Sequence, residues 1–165
     1  MSTAAKLQYG TQTDFTITAA SLANTAGRVS TQIDLDAGAD DRIPVALEVW
    51  AQVKLAGAPT AGQEISVWAA YGDDGANIAG ALAATDTGYT AASTPITAAQ
   101  LKDYLVHVGT FTTVADANAV YSGFFKLELP SHRISLYIYN GSGQALSATA
   151  ADHEFKLTPI QLDIR

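Results

Sequence analysis

The chain has 165 residues, no cysteine and a formal charge of −7. That length suits a single domain, residues 1–165, with a core large enough to need no covalent staple. The lack of cysteine excludes disulfides, thiolate metal centres and cysteine nucleophiles, and nine Lys and Arg spread along the chain make no basic patch for nucleic acid or an anionic membrane.

Met1 to Tyr9 has no apolar run of signal-peptide length, and no stretch approaches the roughly 20 apolar residues of a membrane span. The chain is therefore expected to stay in the compartment where it is made unless lysis releases it. Residues 1–10 are polar, with Leu7 and Tyr9 as the anchors, and read as an N-terminal arm or as an edge strand added to a neighbour's sheet. Phe15 and Ile17 mark a short strand. Val29, Thr31, Ile33 and Leu35 alternate with polar residues and predict another. Asp34, Asp36, Asp40 and Asp41 form an acidic cluster that reads as a solvated loop, with cation binding as the alternative.

The strongest signal spans Ile43 to Leu55. Its odd positions are apolar and its even positions include Glu48, Trp50, Gln52 and Lys54, so a long strand with one buried face is predicted. Ile65, Val67, Ala69 and Tyr71 repeat the pattern. The Ala/Gly/Pro loop at 56–62 between them predicts an antiparallel hairpin. A hairpin symmetric about Pro59 sets Trp50 opposite Trp68 on the polar face. Such a pair can stabilise the ladder, lie under a loop of the same chain, or form an exposed patch for a partner.

Asp73 to Thr94 is rich in Ala, Gly and Thr and is long for a plain loop, which suggests a functional excursion. Asp73 to Asn77 reads as a turn rather than a calcium loop, since the alternating carboxylates and distal Glu are missing. Thr97 and Gln100 carry the spacing of a capping box before a short helical turn. Strands follow at Tyr104–Phe111, Phe124–Leu129 and Ile134–Tyr139, with a turn at Pro130–Arg133 and a stop at Asn140–Gly143. In the last strand Phe155 and Leu157 set one parity and Ile160, Leu162 and Ile164 the other, which predicts a bulge or kink at Pro159.

Eight or nine strands without a long helical period give an all-β, two-sheet antiparallel sandwich. A jelly roll and an immunoglobulin-like order both satisfy the pattern. Chemistry is sparse. His107, His132 and His153 lack metal-ligand spacing, and neither a nucleophile elbow nor a phosphate loop occurs. No catalytic residue, metal ligand or cofactor is expected. The residues that stand out are Trp50, Trp68, Leu7 and Tyr9, as an adhesive surface.

Several stretches resemble one family. Phe15-Thr16-Ile17-Thr18-Ala19-Ala20-Ser21-Leu22-Ala23-Asn24-Thr25-Ala26-Gly27-Arg28-Val29-Ser30 is similar to the opening of small virion structural proteins of tailed bacteriophages. Gly57 to Gly62 resembles the loop that follows in them, and Val67 to Gly75 their next strand and turn. Leu129-Pro130 with Leu136 to Leu146 resembles their C-terminal stretch. The resemblance implies a jelly-roll-like capsid decoration, or cement, protein of the virion surface. Its partner would be the major capsid protein, and it would form a homotrimer. A head-fibre, neck or tail component is the alternative within the virion. A carbohydrate-binding module stacking sugar on Trp50 and Trp68 is the alternative outside it.

Overall fold

The structure, a computed structural model, describes residues 5–35, 44–72, 78–79, 82–93, 96–128 and 131–164. Alternating apolar residues form the strands they predict, and short pieces raise the number above nine. In chain order these are β1 (Ala5–Tyr9), β2 (Thr13–Asp14), β3 (Ala26–Val29), β4 (Ile33–Asp34), β5 (Ala46–Lys54), β6 (Glu64–Gly72), β7 (Thr87–Tyr89), β8 (Val106–Thr112), β9 (Val120–Glu128), β10 (Arg133–Gly141) and β11 (Glu154–Ile164). One short helix, α1 (Ala98–Leu101), carries the predicted capping box, with Thr97 and Gln100 bonded reciprocally.

Sheet I has the order β1-β11-β5-β9, with β2 continuing β1 along β11. Sheet II has the order β7-β3-β10-β6-β8, with β4 continuing β3 along β10. The pairings nest: β1 and β2 with β11, β3 and β4 with β10, β5 with β9, β6 with β8. Folding such a ribbon over itself brings β11 against β5 and β10 against β6, and two antiparallel sheets result. This is the jelly-roll order.

The predicted hairpin between β5 and β6 does not form. The two strands lie in different sheets, and residues 56–62 arch across the sandwich. Both strands bury their odd residues because each faces the other sheet, about 10 Å away. Leu47, Val49 and Val53 meet Ile65, Val67, Ile134, Leu136 and Ile138 there, all at 0% exposure. Each such side chain contributes roughly 1.5–3 kcal/mol by leaving water. At the flank, Phe125 of sheet I lies against Gly109 of sheet II, where a Cβ would come 2.0 Å from the ring. Glycine at 109 is what lets the two sheets close at that point.

The last strand also departs from expectation. β11 keeps an unbroken register with β5 from Glu154 to Ile160. Tyr9 pairs with Ile160, but Thr13 pairs with Leu157. Four steps along the N-terminal strand thus match three along β11, and the extra residue sits in the partner strand opposite Pro159. Gly10 N–H donates to Pro159 O (2.8 Å) and Phe15 N–H to Phe155 O (2.9 Å). Odd residues of β11 therefore turn their backbone groups toward β1 and β2. The donor that proline lacks is missing on that side, where β1 stops and β2 has not begun. The shift turns Leu7 and Tyr9 outward and Phe15 inward. Ile160 and Leu162 face outward without any kink in β11.

The strand predicted through Val29 and Ile33 is broken in the same manner. Ser30 Oγ accepts from Leu136 N–H (2.9 Å), inserting a hydroxyl into the ladder between β3 and β4. Val29 consequently packs on the outer side of sheet II while Ile33 packs on the inner core.

Described residues between 78 and 105 cover much of that outer side. Ile78, Leu82 and Leu101 bury Val29, Ala70 and Tyr137 in a second apolar cluster, with Trp68 packed against it. Tyr137 is fully buried and donates its hydroxyl to Ala98 O (2.8 Å), tying α1 down. Burial, aided by the neighbouring Tyr139 and Tyr89, pushes its ionisation far above the ordinary tyrosine range. A Cβ at Gly27 would sit 1.8 Å from that hydroxyl oxygen.

Candidate functional site

The outer face of sheet I has no covering segment among the described residues. Even positions of β5, β9 and β11 and odd positions of β1 point that way. The registers place Trp50 between Phe124 and Lys156, and Ala46 between Glu128 and Ile160. Tyr9 extends the second row, and Leu7 lies beside Leu162. Leu7 is 66% exposed, Tyr9 61%, Phe124 64% and Leu162 40%. Leu7, Tyr9, Ala46, Glu48, Lys126 and Ile160 line a shallow depression of about 330 Å³. Its side on β1 and β11 is apolar, and Glu48, Lys126 and Glu128 make the side on β5 and β9 charged.

Trp50 is locked within this face. Its ring lies 4.6 Å from that of Phe124, tilted by 49°. Its indole N–H donates to Glu154 Oε2 (2.9 Å), and Lys156 bridges Glu154 at 2.6 Å. The hydrogen bond from Lys156, then that from Trp50, holds the Glu154 carboxyl below its usual range. The same bond raises Lys156 above its own. The aromatic pair is thus held by its neighbours before any partner arrives.

Trp68 lies on the opposite side of the sandwich. It is half-buried, its N–H donates to Ser66 Oγ (2.9 Å), and its ring meets His107 edge-on at 4.7 Å. A register shift at Val67/Trp68 brings His107 out to that ring, while Phe111 of the same strand packs in the core between the sheets. Of the four residues singled out in sequence, the structure brings Trp50, Leu7 and Tyr9 onto one face and sets Trp68 on the other. No single platform includes both tryptophans. Residues 5–9 form an edge strand of their own sheet rather than of a neighbour's.

Sequence reasoning missed Phe124, Ile160 and Leu162 as members of this face. The signal was present in the parity change along β11, which marks outward apolar residues rather than a bulge in that strand.

The remaining polar groups serve structure. Asp34 pairs with Arg133 (2.6 Å), while Asp36, Asp40, Asp41 and the turn at 73–77 lie outside the described residues. Asp86 accepts hydrogen bonds from Arg28, Thr18 N–H (3.0 Å) and Thr18 Oγ1 (2.5 Å). Burial alone would raise its ionisation; the bonds from Arg28 and Thr18 outweigh that and lower it. His153 bonds the Ser147 carbonyl (2.9 Å). A second depression, about 410 Å³, opens on the outer side of sheet II, where Lys102 Nζ lies 4.3 Å from the centre of the Tyr139 ring. Among the described residues, no three His, Asp or Glu side chains cluster as metal ligands would.

The turn at 21–25 and the end of β10 meet in space. Asn140, at 0% exposure, donates to Leu22 O (2.9 Å) and Gln144 O (2.8 Å). Its Oδ1 accepts from Ser142 N–H (3.2 Å) and Ser142 Oγ (2.6 Å). Asn24 Oδ1 accepts from Gly143 N–H (2.9 Å). This network holds the turn at 21–25, where Ser21 and Thr25 have φ of 58° and 62°. No protein-family model matches this chain, and no curated protein matches it in sequence.

Proposed function

We propose that this chain is a capsid decoration protein of tailed bacteriophages, a jelly roll that lays the outer face of sheet I on the head and bridges neighbouring major capsid subunits. The observation that carries the adhesive part is the contrast between the two outer faces. Sheet II covers its apolar residues with described residues between 78 and 105, whereas sheet I leaves Phe124 open beside a fixed Trp50 and Leu7, Tyr9 and Leu162 open further along the same face, beyond the row of Glu48 and Lys126. Exposed aromatic and aliphatic side chains beside charged ones have the composition of a protein-binding patch. The resemblance to phage virion proteins supplies the partner and the location on the virion.

The mechanism is adhesion without chemistry. Apolar burial at about 25 cal/mol per Å² drives docking, less the cost of fixing two bodies together. Repetition over a symmetric shell adds avidity, so a modest single contact suffices. The net negative charge keeps free copies soluble before they dock.

The test is co-sedimentation of purified protein with heads that lack decoration. The unaltered protein should bind, and Leu7→Lys with Tyr9→Lys should weaken binding at least tenfold while leaving the thermal midpoint within a few degrees. Failure of the unaltered protein to bind such heads would sink the proposal. Binding that survives both substitutions would move the contact off this face.

A further inference from the structure

A sheet edge is a row of unpaired N–H and C=O groups that another strand can extend, and proteins guard such edges. Among the described residues, three of the four sheet edges are guarded. The edge of β1 and β2 is interrupted opposite Pro159. β7 has only three residues. The register of β8 shifts at its pairing with Val67/Trp68. β9 is different: nine residues, no proline, and an unbroken residue-for-residue register with β5.

The pairing of sheet I fixes which backbone groups β9 leaves free. Odd residues of β11 point toward β1 and β2, so even residues point toward β5. The alternation carries across β5, whose odd residues bond the odd residues of β9. The N–H and C=O groups of Val120, Ser122, Phe124, Lys126 and Glu128 therefore line the open edge. The middle residue of the strand is Phe124.

We infer that β9 is a self-association edge, and that two copies join it antiparallel about a two-fold axis through Phe124, making one continuous sheet from both copies. In that register Phe124 meets its own counterpart, Ser122 meets Lys126, and Val120 meets Glu128, so every edge donor finds an acceptor. No like charges face each other. A parallel in-register pairing would set Lys126 on Lys126 and Glu128 on Glu128, and is disfavoured. The row Trp50–Phe124 continues across the joint as four aromatic rings. The contact closes at two copies and is distinct from the three-fold arrangement that the family resemblance implies.

Its strength follows from its size. A nine-residue edge is about 30 Å long and about 10 Å deep, roughly 300 Å² per copy. A stable interface covers roughly 800 Å² per copy. The dimer therefore belongs to the weak class, with dissociation in the micromolar to submillimolar range. Each copy carries a charge of −7, so added salt should tighten it.

Sedimentation equilibrium over that concentration range tests the inference. The unaltered chain should pass from monomer to dimer. Ser122→Pro removes only an N–H on the open edge, so it should keep the thermal midpoint and raise the dissociation constant at least tenfold. Since the chain has no cysteine, Phe124→Cys should oxidise to a disulfide-linked dimer, whereas Val120→Cys should not. A chain that stays monomeric up to about 1 mM, a dimer or trimer that Ser122→Pro leaves intact, or equal cross-linking at 120 and 124 would each overturn the inference.

Discussion

Replacing Asn140 by Asp keeps the side chain's shape and changes one atom. The amide nitrogen that donates to Leu22 O (2.9 Å) and Gln144 O (2.8 Å) becomes an oxygen. Two hydrogen bonds, each worth about 1 kcal/mol net, turn into contacts between acceptors, and the two carbonyls keep only Leu146 N–H and Ser142 Oγ as donors. The site is fully buried, so ionisation there carries its own cost. Together these give a loss of about 3–5 kcal/mol at pH 7. For a domain of this size that is a fall of about 6–20 °C in thermal midpoint. The neutral acid can restore one bond by donating its O–H, so the folded state favours protonation and the new carboxyl titrates above its unfolded value. The charge part of the penalty is thus absent below the unfolded carboxyl pKa of about 3.9 and grows as pH rises. Urea unfolding of the Asn140→Asp and Asn140→Ala variants between pH 4 and 8 measures both parts. The Asp variant should approach the unaltered protein toward pH 4, while the Ala variant should keep a constant deficit. A deficit below about 1 kcal/mol for Asn140→Asp, unchanged with pH, would refute the view that this amide ties residues 22 and 144 together.

Four further expectations rest on other parts of the fold. Gly27→Ala and Gly109→Ala place a methyl 1.8 Å from the Tyr137 hydroxyl oxygen and 2.0 Å from the Phe125 ring. Each should cost about 3 kcal/mol or more by thermal unfolding, whereas Gly57→Ala, with 3.5 Å to its nearest neighbour, should stay within about 0.5 kcal/mol. Tyr137→Phe strands the Ala98 carbonyl and should cost about 1–2 kcal/mol, with faster amide exchange confined to residues 78–105. Asp86 titrates below its ordinary value, so its contribution is present above the ordinary carboxyl range and is lost as pH falls through the lowered value; the stability gap to Asp86→Asn should close in acid. Thr25→Gly relieves a β-branched residue at φ 62° and should raise the unfolding midpoint slightly in urea.

Period-two alternation was legible because it depends only on which face of a strand is buried. It found the long strands and the two-layer sandwich. It could not tell a hairpin from an arch, since β5 and β6 bury odd residues in either arrangement. The distinction decides whether Trp50 and Trp68 meet, and it rests on pairings with β9, β10 and β11 far along the chain. The parity change at Pro159 was a true signal with two physical meanings, a bulge in β11 or an apolar outer face. Only the position of Gly10 beside Pro159 separates them. Apart from the capping box at Thr97 and Gln100, residues 78–105 were opaque for another reason. Ile78, Leu82 and Leu101 are too few and too far apart to mark a helix or strand, and they become a cover only because sheet II lies beneath them.

β10 and β11 occupy the middle of their sheets, each with partners on both sides. They are also the last two of the described strands to leave the ribosome. Until they arrive, β3, β5 and β6 are paired on one side only, with β7, β9 and β8, and each sheet lacks its central strand. A nascent chain stopped before residue 133 would therefore expose the long open edges of β5 and β6 rather than form a smaller folded domain. At roughly 5–20 residues per second that exposure lasts for seconds, the period in which such strands find one another and aggregate. Yield in a foreign host should depend on temperature and chaperone supply during synthesis more than on the stability of the finished sandwich.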